Sequence, residues 1–197
     1  MIVVGVTGKY CAGKSTVTTL LSEHGYVEID VDGLGHEALD HERDRVVEAF
    51  GAGVRAEDGS VDRKALGRLV FADHAALRRL ESIRHPRMVE RTAARVDEIR
   101  RQADAPPGVV INAAILFRME LHPLCDLVLY VTAPFLRIVR RARERDGASL
   151  REVVRRLRSQ RDVDPQHSRP RADIHNVEND GDREKLRSQL ARLLPLP

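Results

Sequence analysis

The feature that most narrows what this chain can fold into is the segment Gly8-Lys9-Tyr10-Cys11-Ala12-Gly13-Lys14-Ser15. It fits the spacing G-x-x-x-x-G-K-[ST]. At this chain's frequencies of Gly, Lys, Ser and Thr, chance would supply such a match with a probability of about 0.001, so the segment is read as a phosphate-binding loop. Its flanks agree. Residues 2–6 are an apolar strand-like run, and residues 15–24 read as a helix. Glycines let the backbone wrap closely round an anion, and successive amides at a helix N-terminus then point at it. On this reading Gly8, Cys11, Ala12, Gly13, Lys14, Ser15 and Thr16 contact a nucleotide. Lys14 bridges the β- and γ-phosphates of ATP, and the Ser15 hydroxyl ligates Mg²⁺.

Composition removes several classes. A chain of 197 residues is expected to form a single domain, at about 150 residues per domain. No apolar run approaches the roughly 18 residues of a membrane span. The start, Met1-Ile-Val-Val-Gly, lacks a basic leader, so a cytoplasmic, membrane-free protein is expected. Cysteines Cys11 and Cys125 are too few for a disulfide scaffold. An aromatic content of 4%, without Trp, argues against base-stacking platforms, and no nucleic-acid partner is expected.

The remaining periodicity alternates strands with helices. Strand-like runs occupy 26–29, 109–112, Leu127–Thr132 and 174–177. Helix is expected over 33–50 with a break near Asp40, over 62–71 capped by Asp62, and over 73–105 with an interruption at His85-Pro86. Residues 51–61 and 162–171 read as loops. Pro134 opens a helix to about Arg145, Ser149 and Glu152 form a capping box for the next, and an amphipathic helix spans 183–194. The apolar strands suit a mainly parallel sheet in an α/β fold.

Two further constellations bear on chemistry. Asp30 and Asp32 follow the second strand, and in an extended segment their side chains would face one side. Ligands collect at the carboxyl ends of such strands, where a kinase needs an acceptor for the substrate hydroxyl proton. Either acid could instead cap the next helix. The second constellation is cationic. Net charge is only +3, but residues 137–171 hold twelve arginines against five acids. Only four of the 33 basic residues in the chain are lysines, so arginine-rich codon usage accounts for the bulk. Helices carrying this charge fit a lid over polyphosphate, a nucleic-acid backbone patch, or a solvated face.

Taken in order, these residues resemble the dephospho-coenzyme A kinase family over nearly the whole chain. Val6-Thr7-Gly8 and Gly13-Lys14-Ser15-Thr16 fit its loop, and Ile29-Asp30-Val31-Asp32 with His36-Glu37 its Asp-x-Asp segment. Ala49-Phe50-Gly51, Asp58-Gly59-Ser60-Val61-Asp62-Arg63 and His85-Pro86 follow as in the family. Arg141, Arg145-Asp146, Arg156 and Gln160 fit its lid, and Ala172-Asp173 and Asn179-Asp180-Gly181 its C-terminal segment. The resemblance implies a three-layer P-loop kinase fold with a mainly parallel sheet. Its core would cover about 1–32, 106–134 and 172–197, a helical acceptor-binding region about 33–105, and a lid about 135–171. It implies ATP-dependent phosphorylation of the ribose 3′-hydroxyl of dephospho-CoA, by a monomer or small homo-oligomer. Asp32 would be the base, Lys14, Arg141 and Arg145 the charge stabilisers, and Asp30, Asp32 and His85 acceptor contacts. His85 reads equally as a helix boundary, and Asn179 either as an adenine neighbour or as a plain Asn-Asp-Gly turn.

The chain also departs from the family. Lys9 and Tyr10 replace small loop residues, Asn112 stands where an acid is usual, and Arg118 replaces a glutamate. These departures leave two other readings: a kinase for another nucleoside-like acceptor, and a non-catalytic nucleotide or nucleic-acid binder.

Overall fold

Five strands form one parallel sheet in the order β2-β3-β1-β4-β5. They are β1 (Ile2–Gly8), β2 (Val27–Asp30), β3 (Gly108–Asn112), β4 (Leu127–Thr132) and β5 (Asp173–Glu178). The computed structural model describes residues 1–160 and 173–195. The loop expected over 162–171, with Arg161, Arg169 and Arg171, lies outside the described residues. β1, β3 and β4 are buried along almost their whole length, which is why they read as unbroken apolar runs. The edge strands β2 and β5 each bury one residue fully, Ile29 and Val177.

The helices are α1 (Lys14–Glu23), α2 (Val31–His41), α3 (Arg43–Phe50), α4 (Arg63–Ala72), α5 (His74–Arg100), α6 (Phe135–Asp146), α7 (Leu150–Ser159) and α8 (Arg183–Leu193). Two compact units divide them: residues 1–30 with 95–197, and residues 31–94. In the first, Val17, Leu20 and Leu21 of α1 and Leu186 and Leu190 of α8 pack with Val4, Val6 and Leu129 of the sheet. The second has its own core of Leu39, Val46, Val54, Val61, Leu66, Val70, Leu80 and Ile83. Among the described residues no helix is long and apolar enough to cross a membrane.

Caps follow the sequence closely. Asp62 accepts from the amides of Lys64 and Ala65, and Ser149 with Glu152 closes a full capping box on α7. Gly147 ends α6 in the left-handed conformation at φ 63°.

Four expectations need correction. α5 runs unbroken through Pro86. A proline removes one backbone bond, and buried residues on both sides of it, Leu80, Ile83, Met88 and Thr92, hold the helix together. The break expected near Asp40 falls at Glu42, whose backbone begins α3. Residues 51–61 contain a short 3-10 turn (Ala52–Val54) and a bridge between Arg55 and Val61 rather than open loop. Finally, α2 starts at Val31, so Asp32 stands in a helical first turn while Asp30 ends a strand. The alternation of an extended chain therefore does not govern the pair.

Candidate active site

The phosphate-type loop leaves β1 at Gly8 and enters α1 at Lys14. Gly13 is the N-cap, at φ 97° and ψ 38°, a conformation that a Cβ would strain. A side chain there would also collide with the Asn179 amide. No side chain caps α1, and no acid sits in its first turn. The helix N-terminus is thus not satisfied by its own N-cap, the condition under which it suits an anion. The Lys14 ammonium donates to the Gly8 carbonyl at 3.3 Å, folding back over the loop. Ser15 is exposed, and its hydroxyl makes no hydrogen bond with a described residue. Cys11 holds φ 55° with its thiol side buried against Ile138, Ala142, Ala148 and Val153.

Arg141 braces this loop from α6. One guanidinium nitrogen donates to the Cys11 and Ala12 carbonyls at 3.4 and 3.0 Å. The other donates to the backbone and side-chain oxygens of Asn179 at 3.1 and 2.9 Å. Asn179, only 2% exposed, in turn donates from Nδ2 to the Gly13 carbonyl at 3.4 Å. Burial, then the charge of Arg137, lowers the Arg141 pKa, though an arginine stays charged throughout.

Tyr10 ties the same loop to α6 and α7. The Arg145 guanidinium lies 5.1 Å from its ring centroid and that of Arg156 4.8 Å. Arg156 donates to the phenol oxygen at 2.6 Å, and the phenol donates to Asp146. The Tyr10 amide donates to Gln160 Oε1 at 2.7 Å. Asp146 also accepts two bonds from Arg145, at 2.8 and 3.0 Å, and one from Arg156 at 3.0 Å. Hydrogen bonds from Arg145 first, then Tyr10, hold Asp146 far below the usual carboxylate range. The Asp146 bond in turn raises the Arg145 pKa. Burial, then the bond to Asp146, raises the Tyr10 phenol.

At the carboxyl edge of the sheet, Asn112 is in register with Val6 of β1 and Asp30 of β2. Its amide donates to Glu28 at 2.8 Å. A carboxylate thus occupies this edge from the neighbouring strand, although position 112 lacks one. Arg118 is exposed in the turns that follow β3.

In the second unit, Asp32 is exposed on α2 and His85 half-buried on α5. Arg84 of α5 senses both Glu81 and Asp32, but burial is the larger influence and lowers its pKa. A small polar cavity of about 170 Å³ in this unit is lined by Glu37, Ala38, His41, Arg87 and Arg91.

The structure therefore brings together the loop residues with Arg141, Arg145 and Asn179 in the first unit. Asp30 closes a strand of that unit, whereas Asp32 and His85 belong to the second. Two site residues carried little signal in the sequence. Asn179 fits a turn motif equally well, and Tyr10 reads only as bulk beside the phosphates. An aromatic inside a glycine loop, in a chain with three tyrosines, was the available cue.

Comparison with known proteins gives the family. Residues 2–184 match CoaE, the dephospho-CoA kinase family. The dephospho-CoA kinase of Geobacter sulfurreducens is 36% identical over 196 residues, covering 98% of this chain and 97% of its own. That of Anaeromyxobacter dehalogenans is 40% identical over 199 residues, covering 98% and 91%. Among solved structures, TT1252 from Thermus thermophilus superposes with a TM-score of 0.74 at 34% identity, covering 98% of this chain and 96% of its own. Such identities, sustained over nearly the full length on a P-loop kinase sheet, mean that the chain belongs to the dephospho-CoA kinase family.

Proposed function

We propose that the chain transfers the γ-phosphoryl group of ATP to the ribose 3′-hydroxyl of dephospho-CoA, giving coenzyme A and ADP in the cytoplasm. The observation that carries this reading is the loop from Gly8 to Ser15 at the uncapped head of α1, in a chain of this family. Phosphoryl transfer asks a protein mainly for positioning and charge. The loop amides and Lys14 hold the phosphates, with Gly8, Cys11, Ala12, Gly13, Ser15 and Thr16 forming the cradle. Arg141 and Arg145 add positive charge, and Arg141 does so even though its donors are committed to the loop, because charge acts beyond hydrogen-bond reach. Asn179 fixes the far side of the cradle. Asp32 accepts the 3′-hydroxyl proton as the oxygen attacks phosphorus and ADP leaves. Asp30 and His85 orient the acceptor.

Mg²⁺ takes most of its oxygen ligands from phosphates and water. The exposed Ser15 hydroxyl would supply an oxygen ligand from the protein, and a bound ion would neutralise charge on the phosphates.

The test is direct. Purified chain with ATP, Mg²⁺ and dephospho-CoA forms coenzyme A, and Asp32→Asn lowers kcat by about 10²- to 10⁴-fold. Folded protein that binds ATP and forms no coenzyme A defeats the proposal. A second reading, a kinase for another nucleoside-like acceptor, draws on Asn112 and Arg118 at positions where the family usually carries acids. It requires some other acceptor in a panel to give a higher kcat/KM than dephospho-CoA.

A further inference from the structure

We infer that Tyr10 is a positioning residue for the arginines of α6 and α7, coupling the phosphate loop to Arg145 and Arg156. The inference rests on the reading of this chain as an ATP-dependent kinase and deepens it. Tyr10 is one of the positions at which the loop departs from the family's small residues, so its role cannot be carried over from them.

The geometry is unusual for a loop side chain. Arg145 and Arg156 both lie against the ring, at 5.1 and 4.8 Å from its centroid. Guanidinium groups are attracted to an aromatic face. The phenol links them further, accepting from Arg156 and donating to Asp146, which itself binds both arginines. The Tyr10 amide is fixed to Gln160, beyond the end of α7. The contacts made by Tyr10 span 135 to 150 residues of sequence.

A long arginine side chain samples many rotamers when unrestrained. A ring that holds two of them removes much of that freedom before any ligand arrives, and pre-organised charge is the kind that accelerates phosphoryl transfer. The phenol and Asp146 set the orientation of each guanidinium plane. A small aliphatic residue at position 10 offers neither the aromatic face nor the hydroxyl. Tyr10 touches no reacting atom on this account; it acts through the arginines.

The experiment is a cycle of variants in the full chain: Tyr10→Ala, Tyr10→Phe, Arg145→Ala with Arg156→Ala, and Tyr10→Ala added to that pair. Steady-state kinetics are measured with ATP and dephospho-CoA. Tyr10→Ala is expected to lower kcat about 10- to 30-fold, leaving KM for dephospho-CoA within about two-fold. Tyr10→Phe, which keeps the ring, loses only about 3-fold. With both arginines already removed, Tyr10→Ala costs less than about 2-fold more, because residues acting as a unit are not additive. The same loss in both backgrounds overturns the proposal, as does Tyr10→Ala within two-fold of the parent. A parallel cycle on the Kd of ATP, read by calorimetry, needs no acceptor. There Tyr10→Ala weakens binding about 10-fold in the parent and under 2-fold without the arginines. If no coenzyme A forms, the proposed function falls while this second cycle still decides the role of Tyr10.

Discussion

Asn179 shows how much one buried amide can hold. It accepts from Arg141, donates to Gly13, and is fixed by its own backbone amide on Thr132 at 2.8 Å. Asn179→Ala removes two side-chain hydrogen bonds, while Arg141 keeps the backbone oxygen of residue 179 and the Gly13 carbonyl keeps the Thr16 and Val17 amides. The expected loss of stability is about 1–3 kcal/mol, read as a lower urea midpoint at unchanged slope. A shift below a few tenths of a kcal/mol would mean water replaces the amide fully. Lys14 and Ser15 were legible because the motif that marks them is local. Asn179 and Tyr10 were not, because their meaning lies in partners distant in the chain, 38 and 166 residues away for Asn179 and 136 or more for the hydrogen bonds of the Tyr10 phenol, and sequence spacing carries no trace of such pairs.

Elements were legible wherever a terminal signal and an apolar period coincided. α7 is the clearest case. Its capping box joins Ser149 to Glu152 in both directions. Ser149→Ala removes the cap and is expected to cost about 1 kcal/mol in denaturation. Glu152, held by the Ser149 amide and hydroxyl, has its pKa lowered, so acid should loosen that half of the box in the unmodified chain while the Ser149 cap on the Glu152 amide remains. An unchanged midpoint for Ser149→Ala would show that packing of Val153 alone sets the start of α7. The errors were those of propensity overruled by tertiary contact. Pro86 signals an interruption, yet α5 has buried residues before and after it and continues. Asp30 and Asp32 share a segment that looks extended, yet the chain turns helical between them.

At the scale of the whole molecule, ionisation on both sides of neutrality limits stability. Hydrogen bonds hold Glu23, Asp58, Asp62, Asp146, Glu152 and Asp180 below their ordinary values. A carboxylate with a lowered folded pKa stabilises fully above its unfolded value, and the contribution disappears as pH falls through the folded one. Burial pushes Cys125 the other way, up to about 12, and raises Tyr26 as well. Their contributions hold below the unfolded values and fade as pH rises towards the folded ones. Tm against pH is therefore expected to form a plateau between about pH 5 and pH 9 and to decline on either side. A Tm that keeps rising below pH 4 would contradict the assignment of these carboxylates. The parallel order of the sheet was legible from apolar strands alternating with helices, and the family resemblance set a helical region at about 33–105 apart from the core; the compact unit covers residues 31–94, its second boundary falling inside α5, where no linker-like composition marks it. The order of the strands also governs biosynthesis. β1 is made first, yet its neighbours β3 and β4 pair with it only from residues 108 and 127 onward. A ribosome must therefore extrude a bare apolar strand and wait for both partners, the kind of long-range closure that is slow and prone to aggregation. Asn179 emerges later still, after β5, so a nascent chain can complete its sheet before Asn179 locks the loop, and α8 follows to close the core.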